Sequence, residues 1–155
     1  MKIYIDVCCY NRPFDNPAHL VQASVQAEIT AIMGALELCK VEGFSVIGSP
    51  AMVLEINKIQ DDIKRRQVMG FYTGAKTEEI QSTADIEART QELIGLGLKM
   101  LDSYHVAFSE AADVDYMLTT DIRLVNAAAR LGLKIKVINP INFLQEYAIW
   151  LQSLM

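Results

Sequence analysis

A three-layer α/β/α domain built on a central, mainly parallel sheet is the fold class this sequence predicts, on three observations. Short apolar runs alternate with longer segments that carry apolar residues at helical spacing, the pattern of repeated βαβ units. The runs themselves, such as "IYI", "YML" and "KVI", are apolar at every position, as strands buried on both faces require. The chain has 155 residues, 52% of them hydrophobic and 21% charged, enough for one domain with a substantial core.

The elements follow in order. "KIYIDV" (2–7) is the first strand. A turn at Asn16-Pro17 opens a long helix with Leu20, Val21, Ala27, Ile29, Ile32, Met33 and Leu36 at helical spacing, ended by Gly43. "FSVIGS" (44–49) is the second strand. Ser49-Pro50 then supplies an N-cap and a proline at the first helical position. The helix that follows, 50–74, is expected to break near Gly70. "TEEIQSTADIEARTQELIGLG" reads as a loop and then a helix capped at Ser82 or Thr83. "KMLDSYHVAFSEAA" is another helix, "DYMLTT" (115–120) a strand, and "DIRLVNAAARLG" a helix stopped by Gly132. "KIKVIN" (134–139) is the last strand, and "PINFLQEYAIWLQSLM" an amphipathic final helix. No internal repeat divides the chain, so residues 1–155 form a single domain.

Composition narrows function. The net charge is −5, which disfavours a protein that passively coats nucleic acid. It leaves room for an enzyme that reaches nucleic acid through bound cations. Three cysteines, two of them the adjacent Cys8 and Cys9, show no metal-binding spacing and suit a reducing, cytoplasmic compartment. Lys2 precedes only three apolar residues before Asp6, unlike a secretory leader, and no apolar stretch approaches the ~18 residues of a membrane span.

Four carboxylates stand in telling places. Asp6 ends the first strand and Asp121 follows the "DYMLTT" strand, so both emerge on one rim of a parallel sheet, where ligands of such folds sit. Glu55 interrupts the apolar face of the helix after the second strand and starts from that same rim. Asp102 lies at the start of its helix, where the helix dipole favours an anion. Taken singly, each has a duller role, as turn residue, helix cap or surface acid. Together they would repel unless a cation balanced them. A hard divalent ion with oxygen ligands, Mg²⁺ or Mn²⁺, is the natural partner, and such an ion can activate water and steady charge on a phosphodiester.

The segments "IYIDVCCYNRP", "SPAMVLEIN", "GLKMLDSYHVAFSEAADVDYMLTTD" and "LKIKVINPINFL" together resemble the PIN domain family, the metal-dependent ribonuclease fold that includes VapC-like toxins of toxin–antitoxin pairs. The resemblance spans almost the whole chain and rests on the order and spacing of the four acids. It implies a PIN-like fold, with Asp6, Glu55, Asp102 and Asp121 as catalytic residues and ligands of Mg²⁺ or Mn²⁺, and Thr119 or Thr120 as the polar residue beside the final acid. It further implies hydrolysis of RNA to a 3′-hydroxyl and a 5′-phosphate, and an antitoxin protein as partner. One departure stands out. Many members place Thr or Ser and then Asn after the first acid; here those positions hold Val7 and Cys8, and Asn11 is the next residue able to take the polar role.

Arg12, Lys58 and Arg123 lie near these acids and are candidates for RNA phosphate contacts, as are Lys64, Arg65 and Arg66; a solvated helix face is the plainer reading. His105, three residues after Asp102 on the same helical face, either orients an acid or is a structural core histidine. Tyr10 and Phe14 could stack on a base or pack the loop. The terminal stripe Phe143, Leu144, Tyr147, Trp150, Leu151 and Leu154 closes the core and could extend into a homodimer surface. Two rivals accompany the ribonuclease reading: a non-catalytic PIN-like module that binds RNA or protein, motivated by Val7-Cys8, and a nucleotide-binding α/β domain. The missing G-x-G-x-x-G or Walker loop after the first strand weighs against the second.

Overall fold

The structure, a computed structural model, describes residues 1–155. Five parallel strands form one sheet in the order β3-β2-β1-β4-β5, with β1 at Lys2–Ile5, β2 at Ser45–Gly48, β3 at Glu78–Glu79, β4 at Tyr116–Leu118 and β5 at Lys136–Ile138. The N-terminal strand is therefore central, pairing with β2 from Lys2↔Ser45 and with β4 from Ile3↔Tyr116. Ile3, Tyr4 and Ile5 are buried, as are Met117 and Leu118 of β4, which is why these runs show no polar alternation.

Nine α-helices and a 3-10 turn at Arg12–Phe14 complete the chain: α1 Val7–Asn11, α2 Pro17–Leu20, α3 Ala23–Glu42, α4 Pro50–Ile56, α5 Asp62–Ala75, α6 Ala84–Gly95, α7 Met100–Ala111, α8 Ile122–Leu131 and α9 Pro140–Ser153. Strand order moves one way from β1 through β2 to β3, then crosses back past β1 to β4 and on to β5. Right-handed crossovers then place helices on both faces of the sheet. Helices α3 and α9 pack together, and α7 packs against both α4 and α6.

Several boundaries differ from those the sequence predicts. The first strand stops at Ile5, because Asp6 caps α1 by accepting the Val7 N–H at 2.8 Å. The helix expected from Asn16-Pro17 splits into α2 and α3, with Gln22 extended between them. The expected break near Gly70 falls instead at 57–61: Asp61 caps a new helix by accepting from Ile63 and Lys64, and Gly70 lies within α5. Cap chemistry outweighed glycine's modest helix penalty. The edge strand β3 carries two exposed acids and has no apolar signature to read. Gly43 and Gly132 do end their helices, at φ +67° and +61°, the left-handed conformation glycine tolerates.

Candidate metal centre

The sheet reverses its strand order between β1 and β4, the place where open α/β sheets open a crevice at their carboxyl ends. Asp6 leaves β1 there, its backbone N–H bonded to the Leu118 carbonyl at 2.9 Å. Its carboxylate is buried and densely held. Oδ1 accepts the Val7 N–H, and Oδ2 accepts the Thr119 hydroxyl at 2.9 Å and the Cys8 thiol at 3.4 Å. Helix α4 is started by Pro50 and by Ser49, whose Oγ accepts the Met52 N–H at 3.4 Å. Its last turn carries Glu55 toward the same crevice.

Between Asp6 and Glu55 stands His105, fully buried on α7. Its Nε2 lies 2.8 Å from Glu55 Oε1 and 3.7 Å from Asp6 Oδ1. One donor atom from each of these three residues falls within 4.8 Å of the other two. Behind the ring, Nδ1 is 2.6 Å from the Tyr4 hydroxyl, which in turn is 2.6 Å from Ser49 Oγ. The two aromatic rings meet edge-on, with centroids 5.6 Å apart.

Electrostatics mark the centre as short of positive charge. Burial pushes the Asp6 carboxyl above its usual range, despite the nearby imidazole. Asp102, in the first turn of α7, is pushed up to about 6, first by burial and then by the charges of Asp6 and Asp121. For His105, burial opposes the charged form, but its bond to Glu55 and the charge of Asp6 outweigh it, so its pKa rises. A cluster that raises two acids and an imidazole together fits a divalent cation, which would satisfy the oxygens without their having to bind protons.

The predicted acids thus gather to different degrees. Asp6 and Glu55 share the tightest group. Asp102 lies close enough to respond to Asp6, Glu55 and Asp121. Asp121 is half-buried at the rim, where it caps α8 by accepting the Arg123 N–H at 2.9 Å. Its own N–H donates to Thr119 Oγ1 at 3.1 Å, which links it to Asp6 through one hydroxyl. The cap role read for Asp6 and Asp121 and their place at the crevice coexist. Thr119 is buried between the two acids, whereas Thr120 contributes its backbone N–H to Cys8 Sγ at 3.3 Å. Cys8, at the position of the sequence departure, also lies 3.3 Å from Thr119 Oγ1, so its thiol joins the polar network. Asn11 is further along α1, with Oδ1 buried and without a hydrogen-bond partner.

The basic candidates divide. Lys58 and Arg123 are exposed. Arg12 instead turns into ion pairs with Asp15 at 3.1 Å and Glu28 at 3.0 Å. Lys64 also faces Asp15, at 3.6 Å, and Arg65 pairs with Asp62 at 2.6 Å. Tyr10 is buried against Phe71 and Tyr72, and Phe14 packs on Phe71, so both aromatics serve the loop's packing. The sequence signal for His105 was its i+3 spacing from Asp102. Its contact with Glu55 crosses 50 residues and had no local trace.

Neither a family model nor a curated protein matches the sequence. Solved structures do resemble it. A chain of VapBC2 from Rickettsia felis, bound to a DNA fragment from their promoter, superimposes with a TM-score of 0.59 at 12% identity, over 90% of this chain and 98% of that one. The fold is PIN-like. A chain of VapBC-1 from nontypeable Haemophilus influenzae gives the same coverage, with a TM-score of 0.56 at 8% identity. The PIN-like domain reproduces the predicted α/β/α class, with a sheet that is wholly parallel. No helix of it is long and apolar enough to cross a membrane.

Proposed function

We propose that this PIN-like domain is a metal-dependent endoribonuclease. The observation that carries the reading is the convergence of Asp6, Glu55 and His105 within 4.8 Å at the strand-order reversal, with Asp102 raised beside them. Asp6, Glu55, Asp102 and Asp121 hold Mg²⁺ or Mn²⁺. The bound ion supplies Lewis-acid stabilisation of phosphodiester charge and lowers the pKa of water. Thr119 fixes the Asp6 carboxylate from one side and Asp121 from the other. Lys58 and Arg123, exposed and without carboxylate partners, meet the RNA backbone.

The solved relatives are VapBC complexes, which supports a toxin role with an antitoxin protein as partner, in the cytoplasm. A homodimer is part of the same proposal: Trp150 in the last turns of α9 is 49% exposed, and Leu154 just after the helix is 64% exposed. Light scattering on the isolated chain, of mass 17.3 kDa, tests it by looking for twice that value.

The decisive assay is cleavage of structured RNAs with Mg²⁺ or Mn²⁺, by wild type and Asp6→Asn. The expected result is ion-dependent cleavage with new 5′-phosphates, reduced at least 10²-fold in the variant, on the order lost when a key electrostatic group is removed. Cleavage that survives in Asp6→Asn, or in chelator, would sink the proposal. The second reading, a PIN-like module that binds RNA or protein without cutting, rests on the Cys8 thiol occupying the polar site beside Asp6. RNA binding with no cleavage under either ion would favour it.

A further inference from the structure

We infer that His105 Nε2 is itself a donor to the ion, making this a mixed nitrogen–oxygen centre that favours transition-series divalent cations over Mg²⁺. The inference rests on the metal-centre reading above and concerns a residue outside the four acids. Three observations carry it.

The first is spacing. Ligands about 2.1 Å from an octahedral ion, at right angles to one another, stand about 3 Å apart. Nε2 is 2.8 Å from Glu55 Oε1 and 3.7 Å from Asp6 Oδ1, distances that bracket this value. The second is rigidity. His105 has no exposed surface, and its ring is held edge-on by Tyr4, so Nε2 has one direction to point in.

The third is the chain of hydroxyls behind the ring. Ser49 Oγ, Tyr4 Oη and His105 Nδ1 are linked by two 2.6 Å hydrogen bonds in which every hydroxyl can donate or accept. In one arrangement Ser49 donates to Tyr4, Tyr4 donates to Nδ1, and Nε2–H donates to Glu55. In the reversed arrangement Nδ1–H donates to Tyr4 and Tyr4 donates to Ser49. Nε2 then directs a bare lone pair at two carboxylates. That contact is repulsive with nothing between them and favourable with a cation between them. A metal-bound imidazole needs its other ring N–H satisfied in this manner, and Tyr4 does so without any side chain moving. Imidazole ligation tilts a site along the series in which affinity rises from Mn²⁺ to Co²⁺, whereas Mg²⁺ keeps to oxygen and water.

The test is ion binding, read apart from cleavage. Calorimetric titration of the metal-free protein with Mg²⁺, Mn²⁺ and Co²⁺ alone is compared across wild type, His105→Gln and Tyr4→Phe, with circular dichroism confirming that each is folded. Pulsed paramagnetic resonance of bound Mn²⁺ then looks for imidazole nitrogen. The chain has two histidines, and His19→Gln serves as control.

The expected result is affinity rising from Mg²⁺ through Mn²⁺ to Co²⁺ in wild type, with a nitrogen signal that His19→Gln keeps and His105→Gln loses. Tyr4→Phe, which removes the hydroxyl shared by Nδ1 and Ser49 Oγ and leaves Nε2 in place, should weaken Co²⁺ binding about 10-fold, at the lower end of what outer partners contribute, and change Mg²⁺ less. Tight binding with no nitrogen signal overturns the inference and leaves the four-acid centre standing. No binding of any ion overturns both.

Discussion

Asp102 is the residue whose protonation is easiest to follow. Its pKa of about 6 in the folded protein exceeds the ordinary value near 4, so between those pH values the folded state holds a proton that the unfolded chain has released. Stability from this group is therefore full below pH ~4 and is lost as pH rises through ~6. His105 acts in the same direction at higher pH, because its folded pKa is also raised. Metal-free protein should melt at a higher temperature at pH 5 than at pH 7, and Asp102→Asn should flatten that slope. A metal-free melting temperature that rises from pH 5 to 7 would contradict this. Bound Mn²⁺ should remove the same slope in wild type by satisfying the acids itself. At this scale the sequence was half legible. Asp6 and Asp121 could be placed because a strand end fixes where a residue emerges. The tie from Thr119 to Asp6 and the Tyr4–His105–Glu55 line could not, because each joins residues 50 or more positions apart.

Between elements, the glycine with least room is Gly48, at the end of β2. A methyl group on Gly48 would lie 2.5 Å from the Tyr72 hydroxyl and 2.8 Å from Lys76 Cδ. Tyr72 is buried and its hydroxyl accepts the Ser49 N–H at 3.1 Å, so it cannot swing aside without releasing the residue that caps α4 and bonds Tyr4. Gly48→Ala should cost about 1–3 kcal/mol, typical of overpacking, measured by urea unfolding. It should also weaken the ion response, because α4 carries Glu55. A neutral Gly48→Ala would mean that α5 packs less firmly than its aromatic contacts indicate. The helices and inner strands were legible because burial leaves a periodic trace and caps leave particular residues. The two-residue β3 and the five-residue α1 were not, since neither is long enough to show a period. The break before α5 was misplaced because Gly70 is the louder signal and Asp61 the stronger cause.

Across the molecule, the separation of basic residues into paired and free ones predicts two kinds of mutant. Arg12 joins the turn after α1 to α3 through Glu28, and Glu28 also accepts from Asn139 at the start of α9 at 3.0 Å. Its side chain is 26% exposed, so Arg12→Ala should cost about 1–2 kcal/mol, between the values for surface and buried pairs, and leave RNA affinity little changed. Lys58→Ala with Arg123→Ala should do the reverse: near-native stability, and a shallower dependence of RNA affinity on salt, by about two in the logarithmic slope. Equal effects of both mutants on the salt slope would show that Arg12 reaches the RNA after all. The central position of β1 has a consequence in time. The first strand made is flanked by one completed some 40 residues later and by another completed more than 100 residues later, at Tyr116–Leu118. Until β4 leaves the ribosome, Asp6 has neither the Leu118 carbonyl for its N–H nor Thr119 for its carboxylate. A chain translated only through its first two thirds carries three of the four acids, with no crevice to hold them. Closure of the centre is thus tied to near-completion of synthesis, which delays any activity until the whole domain can fold.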